Sequence, residues 1–405
     1  MQNKMKKAVF ILTALLIVVA LVLAGCPSPE PAGEKTLKIG SLNSLTGWFS
    51  TMDIQTLNET EIVRDIINEN GGITIDGQKY EIELVVEDCK SSLDGTTDAA
   101  NKLVYDKDIK FMVGPAAFFS MAAAPVCDPN KVIHVLGYCT HTPLEVGPQV
   151  PYGFLGNGGM EGRLTAVLNV FQEEFPNYKK FAFVSAAGGL NDTIQEVTYA
   201  MLEERGYSIV GEWLGFPDDT TDYSPYVTTL NAIEDADAII MLHAIASHAG
   251  NLLKGLRGLG NDKVIGLVAS SPGNIVRSVS GVEAADDFFT VAPVLGAPGN
   301  PPQLEELLQR LYDTYGADCP NYLEQSAALY VLAQVIEKSQ SLDPTVVKEY
   351  WESMDEVETL FGPGIMCGDQ AYGIKHHYVS HPQAIQWLRD GEVVFDRWID
   401  IGFIP

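Results

Sequence analysis

Basic residues are scarce in this chain. Lysine and arginine number 26 against 53 aspartates and glutamates in 405 residues, a formal net charge of -27. So acidic a body is repelled by phosphate backbones, which argues against a nucleic-acid partner. Cysteine is scarce too: there are six, and no CxxC pair points to a metal or a redox dithiol. GxSxG, the P-loop, HExxH and a complete GxGxxG are all missing. Without those signatures no enzyme is expected, and no cofactor. No internal repeat and no low-complexity tract occurs, which excludes solenoids and arrays. Long apolar runs are limited to a single one, at the N-terminus.

That run has the anatomy of a targeting segment. Lys4, Lys6 and Lys7 precede an apolar stretch from Ala8 to Ala24, closed by Leu23-Ala24-Gly25-Cys26. The closing residues resemble a bacterial lipobox, which implies a signal peptide over 1–25, cleavage before Cys26 and a diacylglyceryl anchor on its thiol. An uncleaved membrane helix and a plain signal peptide are the competing readings, although a run of about 17 residues is short for a span. Residues 26–35, rich in proline and polar side chains, read as a tether that holds the body off the membrane. An exported chain permits disulfides, yet the five cysteines left after Cys26 are odd in number, so at least one thiol stays free. Spacing alone fixes no pairing; Cys319 with Cys367 is the pair expected.

The body begins at Lys38 to Ser50 (KIGSLNSLTGWFS). A β-branched, alternating run is broken at Thr46-Gly47, and a helical pattern starts near Ser50, with Ser50 and Asp53 placed for a capping box. Ile62, Val63, Ile66 and Ile67 share a helical face, and Asn70-Gly71-Gly72 ends the helix. Strands over 80–88, 109–114 and 132–136 then alternate with helices over 91–105 and 118–128. After an irregular stretch at 142–151 the alternation restarts, with strands over 181–185, 207–214, 238–242 and 264–269. Helices over 192–205, 223–233 and 247–259 separate them. Strands and helices alternating at this spacing predict parallel sheets covered on both faces, in two Rossmann-like lobes. The loop 295–302 marks another boundary; helices over 303–315, 322–338 and 344–354 follow, and the tail over 372–398 reads as short strands with a turn at Asp390-Gly391. In such sheets ligands bind outside the carboxyl ends of the strands. Trp48 and Phe49 stand at that mouth.

KIGSLNSLTG (38–47), IINENGGITIDGQKYEIELVVED (66–88), ANKLV (100–104) and FMVG (111–114) resemble, in order and spacing, the leucine/isoleucine/valine-binding family of type I periplasmic binding proteins. The resemblance implies an α/β fold of two lobes with parallel central sheets joined by a three-crossover hinge, a ligand held between the lobes, and delivery of that ligand to the permease of an ABC transporter. It divides the chain into a first lobe over 36–153 plus 295–355 and a second over 154–294 plus 356–405. A monomer is expected, partnered by a small-molecule ligand, the permease and, through the anchor, the membrane.

The resemblance also carries site positions. In amino-acid-binding members the loops after the third and fourth strands hold the ligand's carboxylate and ammonium. Here Phe118 falls where a serine is expected, and Thr140 keeps the family's threonine between Tyr138, Cys139 and the rest of the loop. On the second lobe Leu190 and Ile245 fall at aromatic positions, and Ser271 replaces the carboxylate that neutralises the ammonium. A buried ammonium without an anion is strongly disfavoured. The expected ligand is therefore an apolar or aromatic carboxylate or amide, stacked on Trp48, Phe118 and Tyr138, rather than a standard α-amino acid; branched-chain amino acid binding and a sensing module are the alternatives. The same rings could instead pack within the first lobe, Phe119 above all. His243, at a strand end, could hydrogen-bond a carboxylate, with His248 a weaker candidate facing the same cleft. His376, His377 and His381 near Cys367 match no zinc spacing, and Asp218 to Asp222 reads as a solvated acidic loop.

Overall fold

The computed structural model describes residues 35–115, 117–137, 144–186, 192–316 and 318–404. The expected signal segment, Cys26 and all of the expected tether but Lys35, which opens β1, lie outside them. Of the first lobe the chain builds β1 (Lys35–Asn43), α1 (Ser50–Glu69), β2 (Ile73–Ile75), β3 (Gln78–Asp88), α2 (Leu93–Asn101), β4 (Phe111–Val113), α3 (Ala124–Cys127), β5 (Ile133–Leu136) and β6 (Gly153–Leu155). It then builds α4 (Met160–Glu174), β7 (Lys180–Ala186), α5 (Asp192–Glu203), β8 (Ser208–Ile209), β9 (Leu214–Phe216), α6 (Ser224–Asn231), β10 (Ala238–Leu242), α7 (Ala246–Gly258), β11 (Ile265–Val268), α8 (Gly273–Ser280) and β12 (Phe288–Val291). The remainder forms α9 (Pro302–Tyr315), α10 (Glu324–Ser339), α11 (Pro344–Ser353), β13 (Glu356–Thr359), β14 (Gly362–Cys367), α12 (Asp369–Tyr372), β15 (Tyr378–Ser380), β16 (Gln383–Arg389) and β17 (Glu392–Ile399).

Two sheets result. The first has nine strands in the order β13-β14-β15-β6-β5-β4-β1-β3-β2; the second has eight, ordered β17-β16-β12-β11-β10-β7-β8 with β9 also on β7. Within each, the strands linked by helices run parallel, as right-handed crossovers require. Their apolar side chains alternate between two buried clusters, one on each face. Ile39, Phe111 and Val113 meet Leu329 and Leu332 of α10 on one face of the first sheet. Leu42 and Met112 meet Ala99 and Leu103 on the other. The second sheet is covered in the same way, Phe181 and Phe183 against α4 and Ile239 and Met241 against α7. The two lobes with three crossovers expected from the sequence are therefore present.

Several local expectations change. Ser50 and Asp53 form no capping box: Phe49 precedes the helix without a side-chain cap, Ser50 Oγ donates to Gly47 O, and Asp53 is drawn inward to accept the Ser44 N–H at 2.5 Å. The helix read over 118–128 is broken, a 3-10 turn over Ala117–Ala122 giving way to the short α3, because Pro125 has no N–H for a continuous ladder. The largest change concerns 356–380, expected in the second lobe. Thr359 and Gly362 close a hairpin whose strands β13 and β14 extend the first sheet through β15, which pairs with β6. The third crossover therefore falls at 381–382, not near 355; the others fall at 156–159 and 292–301. Only β16 and β17, turning at Asp390 (φ 52°) and Gly391 (φ 76°), belong to the second sheet.

Cys89, Cys127, Cys319 and Cys367 are all buried with free thiols, so the expected Cys319–Cys367 bridge is absent. Cys367 ends β14 in a core with Leu136, Leu155 and Tyr378. Cys319 lies in the loop before α10, next to Pro320 O, which Gln55 of α1 holds. Cys139 lies outside the described residues.

Candidate functional site

Because the strands of each sheet are parallel, their carboxyl ends gather on one edge, and the loops leaving those ends build the site. In the first lobe the loop after β1 is the best fixed. Asp88, at the end of β3, accepts Leu45 N at 2.9 Å, Lys90 N at 2.8 Å and Thr46 Oγ1 at 2.8 Å. These donors hold its carboxyl below the usual range against the cost of partial burial. Ser91 Oγ donates to Thr46 O at 2.7 Å and accepts Phe49 N at 3.1 Å. Gly47 must be glycine here: its φ is 91° and a Cβ would lie 2.6 Å from Ser91 Oγ.

The loop so fixed displays two rings, Trp48 and Phe49, and a third, Phe119, comes from the 3-10 turn after β4. Trp48 lies edge-on to Phe49 at 5.2 Å between centroids and 6.0 Å from Phe119, and Phe49 meets Phe119 at 5.8 Å. Phe49 and Phe119 are buried; Trp48 is 40% exposed, at the rim. Ile245, from the loop after β10 in the second lobe, packs on the same cluster together with Met52. Trp48 and Ile245, predicted on opposite lobes, thus both adjoin the Phe49–Phe119 pair. Phe119, expected in the lobe core, belongs to this rim cluster. The Phe118 side chain, Tyr138, Cys139, Thr140 and Leu190 lie outside the described residues.

His243 ends β10 with a left-handed backbone, φ 51°, uncommon for a side chain with a Cβ and concentrated at functional loops. Burial, with the Arg163 guanidinium nearby, lowers its pKa to about 3, so it is a neutral imidazole at the edge of the cleft. His248, one helical turn on, does not join it: its ring meets Phe216 edge-on at 5.1 Å inside the second lobe, and burial lowers its pKa to about 4. Ser271 is buried with its Oγ 3.5 Å from Ala244 O, a contact within the second lobe's own loops. His377 is structural. It stacks on Phe154 at 3.9 Å, with Nε2 3.0 Å from Glu352 and Nδ1 2.6 Å from Gly153 O. Among the described residues no group of histidines, cysteines and carboxylates could hold a metal ion.

Beneath the aromatic rim lies a polar floor that the sequence did not reveal. Gln325, in the first turn of α10, joins Asn43 and Ser41 at the end of β1, through Asn43 Nδ2 to Gln325 Oε1 at 3.0 Å and Gln325 Nε2 to Ser41 Oγ at 2.7 Å. Its neighbour Glu324 faces Arg163 of α4, 3.7 Å away across the two lobes, and both are nearly inaccessible to solvent. Burial raises Glu324 to about 7, against the attraction of Arg163, and raises Asp53 to about 6, against its hydrogen bond from Ser44. Spacing could not have found this pair, since its members are 161 positions apart in the chain; Asp53 was visible only as a helix-start residue.

The aromatic cluster, His243 and the buried polar groups come from loops and helix starts of both lobes, and side chains of these kinds can hold a small organic molecule, its apolar part stacked and its polar part hydrogen-bonded. Known folds agree with this architecture. The substrate binding protein LivJ of the branched-chain amino acid transporter of Streptococcus pneumoniae, in complex with isoleucine, superposes with a TM-score of 0.70 at 19% identity, over 89% of this chain and 100% of that one. A solute binding protein of an ABC transporter from Rhodopseudomonas palustris BisB5, in complex with 3,4-dihydroxybenzoic acid, gives 0.70 at 18%, over 91% and 98%. A second R. palustris solute binding protein, in complex with benzoate, gives 0.69 at 14%, over 90% and 96%. The sequence model described as periplasmic binding protein matches residues 36–389, and the chain belongs to that family.

Proposed function

We propose that this protein is the extracytoplasmic solute receptor of an ABC importer, and that it captures a small aromatic or apolar carboxylate between its lobes. The contact of Ile245 with the Phe49–Phe119 pair beside Trp48 carries the reading, because it brings apolar side chains of both lobes into one aromatic cluster. Ser271 in place of an acid on the second lobe supports a ligand without an ammonium group. The similar R. palustris proteins bound to benzoate and 3,4-dihydroxybenzoate support the ligand class, and the isoleucine complex supports the branched-chain alternative. Titration calorimetry with benzoate, 3,4-dihydroxybenzoate, isoleucine, leucine and valine tests it. Binding of the aromatic acids is expected; micromolar leucine or valine binding with both aromatic acids silent overturns the ligand class.

The lipid-anchor reading rests on the N-terminal segment alone. We propose that Cys26 is the lipid-bearing first residue of the mature protein, tethered through 26–35. Mass spectrometry of the N-terminal peptide from membranes is expected to show a diacylglyceryl-modified Cys26, and an unmodified peptide cleaved elsewhere would remove the anchor.

A further inference from the structure

A cavity of about 570 Å³ lies between α4, α5, α12 and the chain that follows β17, and it shares no residue with the aromatic cluster around Trp48. Its size is that of sites for small organic molecules. Val197, Ala200 and Met201 of α5 form one wall, and Ile401, Phe403 and Ile404 form another. The second wall is held at two points. Ile401 is buried in the second lobe's core, where Gly162 of α4 makes room for it: a Cβ there would lie 2.7 Å from Ile401 Cδ1. Ile404 is buried against the first sheet and its carbonyl accepts Gly368 N at 2.8 Å, while Gly402 O accepts Ser380 Oγ at 2.6 Å. Phe403, between these anchors, is nonetheless 58% exposed. Anchored on either side, the segment has little slack to carry that ring onto α5. Phe403 and the α5 face therefore make a contiguous apolar lining, unlike hydrophobic residues scattered singly on a surface.

The polar groups around this lining favour one sign of charge. Glu161, in the first turn of α4, is buried, with the Tyr372 hydroxyl 3.0 and 3.1 Å from its two carboxyl oxygens. Glu204 stands exposed just past the carboxyl end of α5, where the helix macrodipole is negative. Arg205, the cation of the lining, gives Nη1 to Met201 O at 3.1 Å. Ionised carboxyl groups accept hydrogen bonds and donate none, and the whole chain carries a net charge of -27. Such surroundings draw in small cations and repel anions. Phe403 adds an aromatic ring, on whose face an ammonium group is attracted.

We propose that this cavity is a second binding site, for a small apolar amine whose hydrocarbon part lies along Val197, Met201 and Ile401 and whose ammonium group is held toward Glu204 and Phe403. The proposal goes beyond the receptor reading and stands without it.

Methyl NMR of the full mature chain, labelled at methionine and isoleucine and titrated in phosphate buffer with hexylamine, hexanol and hexanoate, reads the two sites separately. Met201, Ile401 and Ile404 report the cavity; Met52 and Ile245 report the aromatic cluster. Hexylamine is expected to move the first three in a saturable way and to bind at least about tenfold more tightly than hexanoate. Glu204→Gln should weaken hexylamine about threefold, as for an exposed charge pair, and leave hexanol unchanged. Ala200→Trp, at an exposed position of α5, places an indole in the cavity and should weaken hexylamine at least about tenfold. Should it fail to fold, Ala371→Trp, at an exposed position of α12, blocks the same space. The proposal is overturned by the absence of a saturable shift at the three methyl groups, by hexanoate binding as tightly as hexylamine, or by full hexylamine affinity in a folded tryptophan variant. None of these results depends on the calorimetric panel, so the ligand class of the receptor and the amine site fail separately.

Discussion

Glu59 Oε2 accepts the Leu323 N–H at 2.6 Å, joining the middle of α1 to a residue 264 positions further along the chain whose backbone is left-handed, φ 59°. Complete burial pushes the Glu59 carboxyl up to about 8, although the Leu323 and Tyr322 N–H groups both favour its ionised form. A single side chain therefore fixes the entry to α10, and through it the position of Glu324 and Gln325 under the cleft.

The stability of the fold should decline as pH rises from about 4.5 to about 8 for this reason. The folded pKa of Glu59, about 8, is raised above its ordinary value of 4.5. Its contribution is therefore complete below about pH 4.5 and is lost as pH rises through 8. Glu324, raised to about 7, and Asp53, raised to about 6, act in the same direction. Each unit of pKa difference is worth about 1.4 kcal/mol. Urea denaturation at intervals from pH 5 to pH 9 should show a falling unfolding free energy, with a shallower fall in Glu59→Gln. An equal slope in the variant would assign the titration to another group.

Trp48→Ala separates recognition from folding. The ring is 40% exposed and its loop is held by Asp88 and Ser91, not by the indole. Loss of its edge contacts with Phe49 and Phe119 should cost the fold about 1 kcal/mol. Binding should suffer more, because the same ring supplies contact area at low entropic cost: benzoate affinity is expected to fall at least about tenfold, or 1.4 kcal/mol. Calorimetry at a temperature well below the variant's melting transition checks this; unchanged affinity would return Trp48 to packing.

Iodoacetamide should leave Cys89, Cys127, Cys319 and Cys367 unmodified in the native protein. All four are buried, and burial raises their thiol pKa values, Cys89 to about 12 and Cys319 and Cys367 each to about 11. Thiolate is the nucleophile, so both access and ionisation protect them. Peptide mapping before and after denaturation in guanidinium should show labelling only afterwards. A mass consistent with a Cys319–Cys367 bridge would contradict the free thiols.

What could be read from the sequence was what local periodicity encodes. The alternation of β-branched strands with amphipathic helices placed the central strands β1, β3, β4, β5, β7, β10 and β11 but not the short β2, β6 and β12, and Thr46-Gly47 marked the loop that carries Trp48. The break at Pro125 is local, but most of the other misses depend on contacts outside the residue's own element. Asp53 has the spacing of a capping residue, yet the chain turns its carboxyl to Ser44. The hairpin at 356–367 has strands too short for a strong pattern, and its sheet is decided by the free edge of β6 through β15. The pairing of Arg163 with Glu324 leaves no trace in either residue's neighbours.

Gly137→Ala tests how closely that long-range packing is set. Gly137 follows β5 at the carboxyl edge of the first sheet, and a Cβ there would lie 2.5 Å from Glu324 C and O and 2.9 Å from Gln325 N. All three are backbone atoms, so no rotamer can relieve the clash. Nor can α10 retreat easily, since Glu59 holds Leu323 and the Asn43 and Ser41 side chains hold Gln325. The substitution should therefore cost about 1–3 kcal/mol, the range for overpacking a close contact. Gly258→Ala, at the end of α7 with nothing within 4 Å of its Cβ, is the control; it should be neutral or stabilising by up to about 1 kcal/mol, since alanine is the better helix former. Urea midpoints of the two variants give the comparison. A Gly137→Ala protein as stable as Gly258→Ala would mean that α10 is free to shift, and that Glu59 does not anchor it.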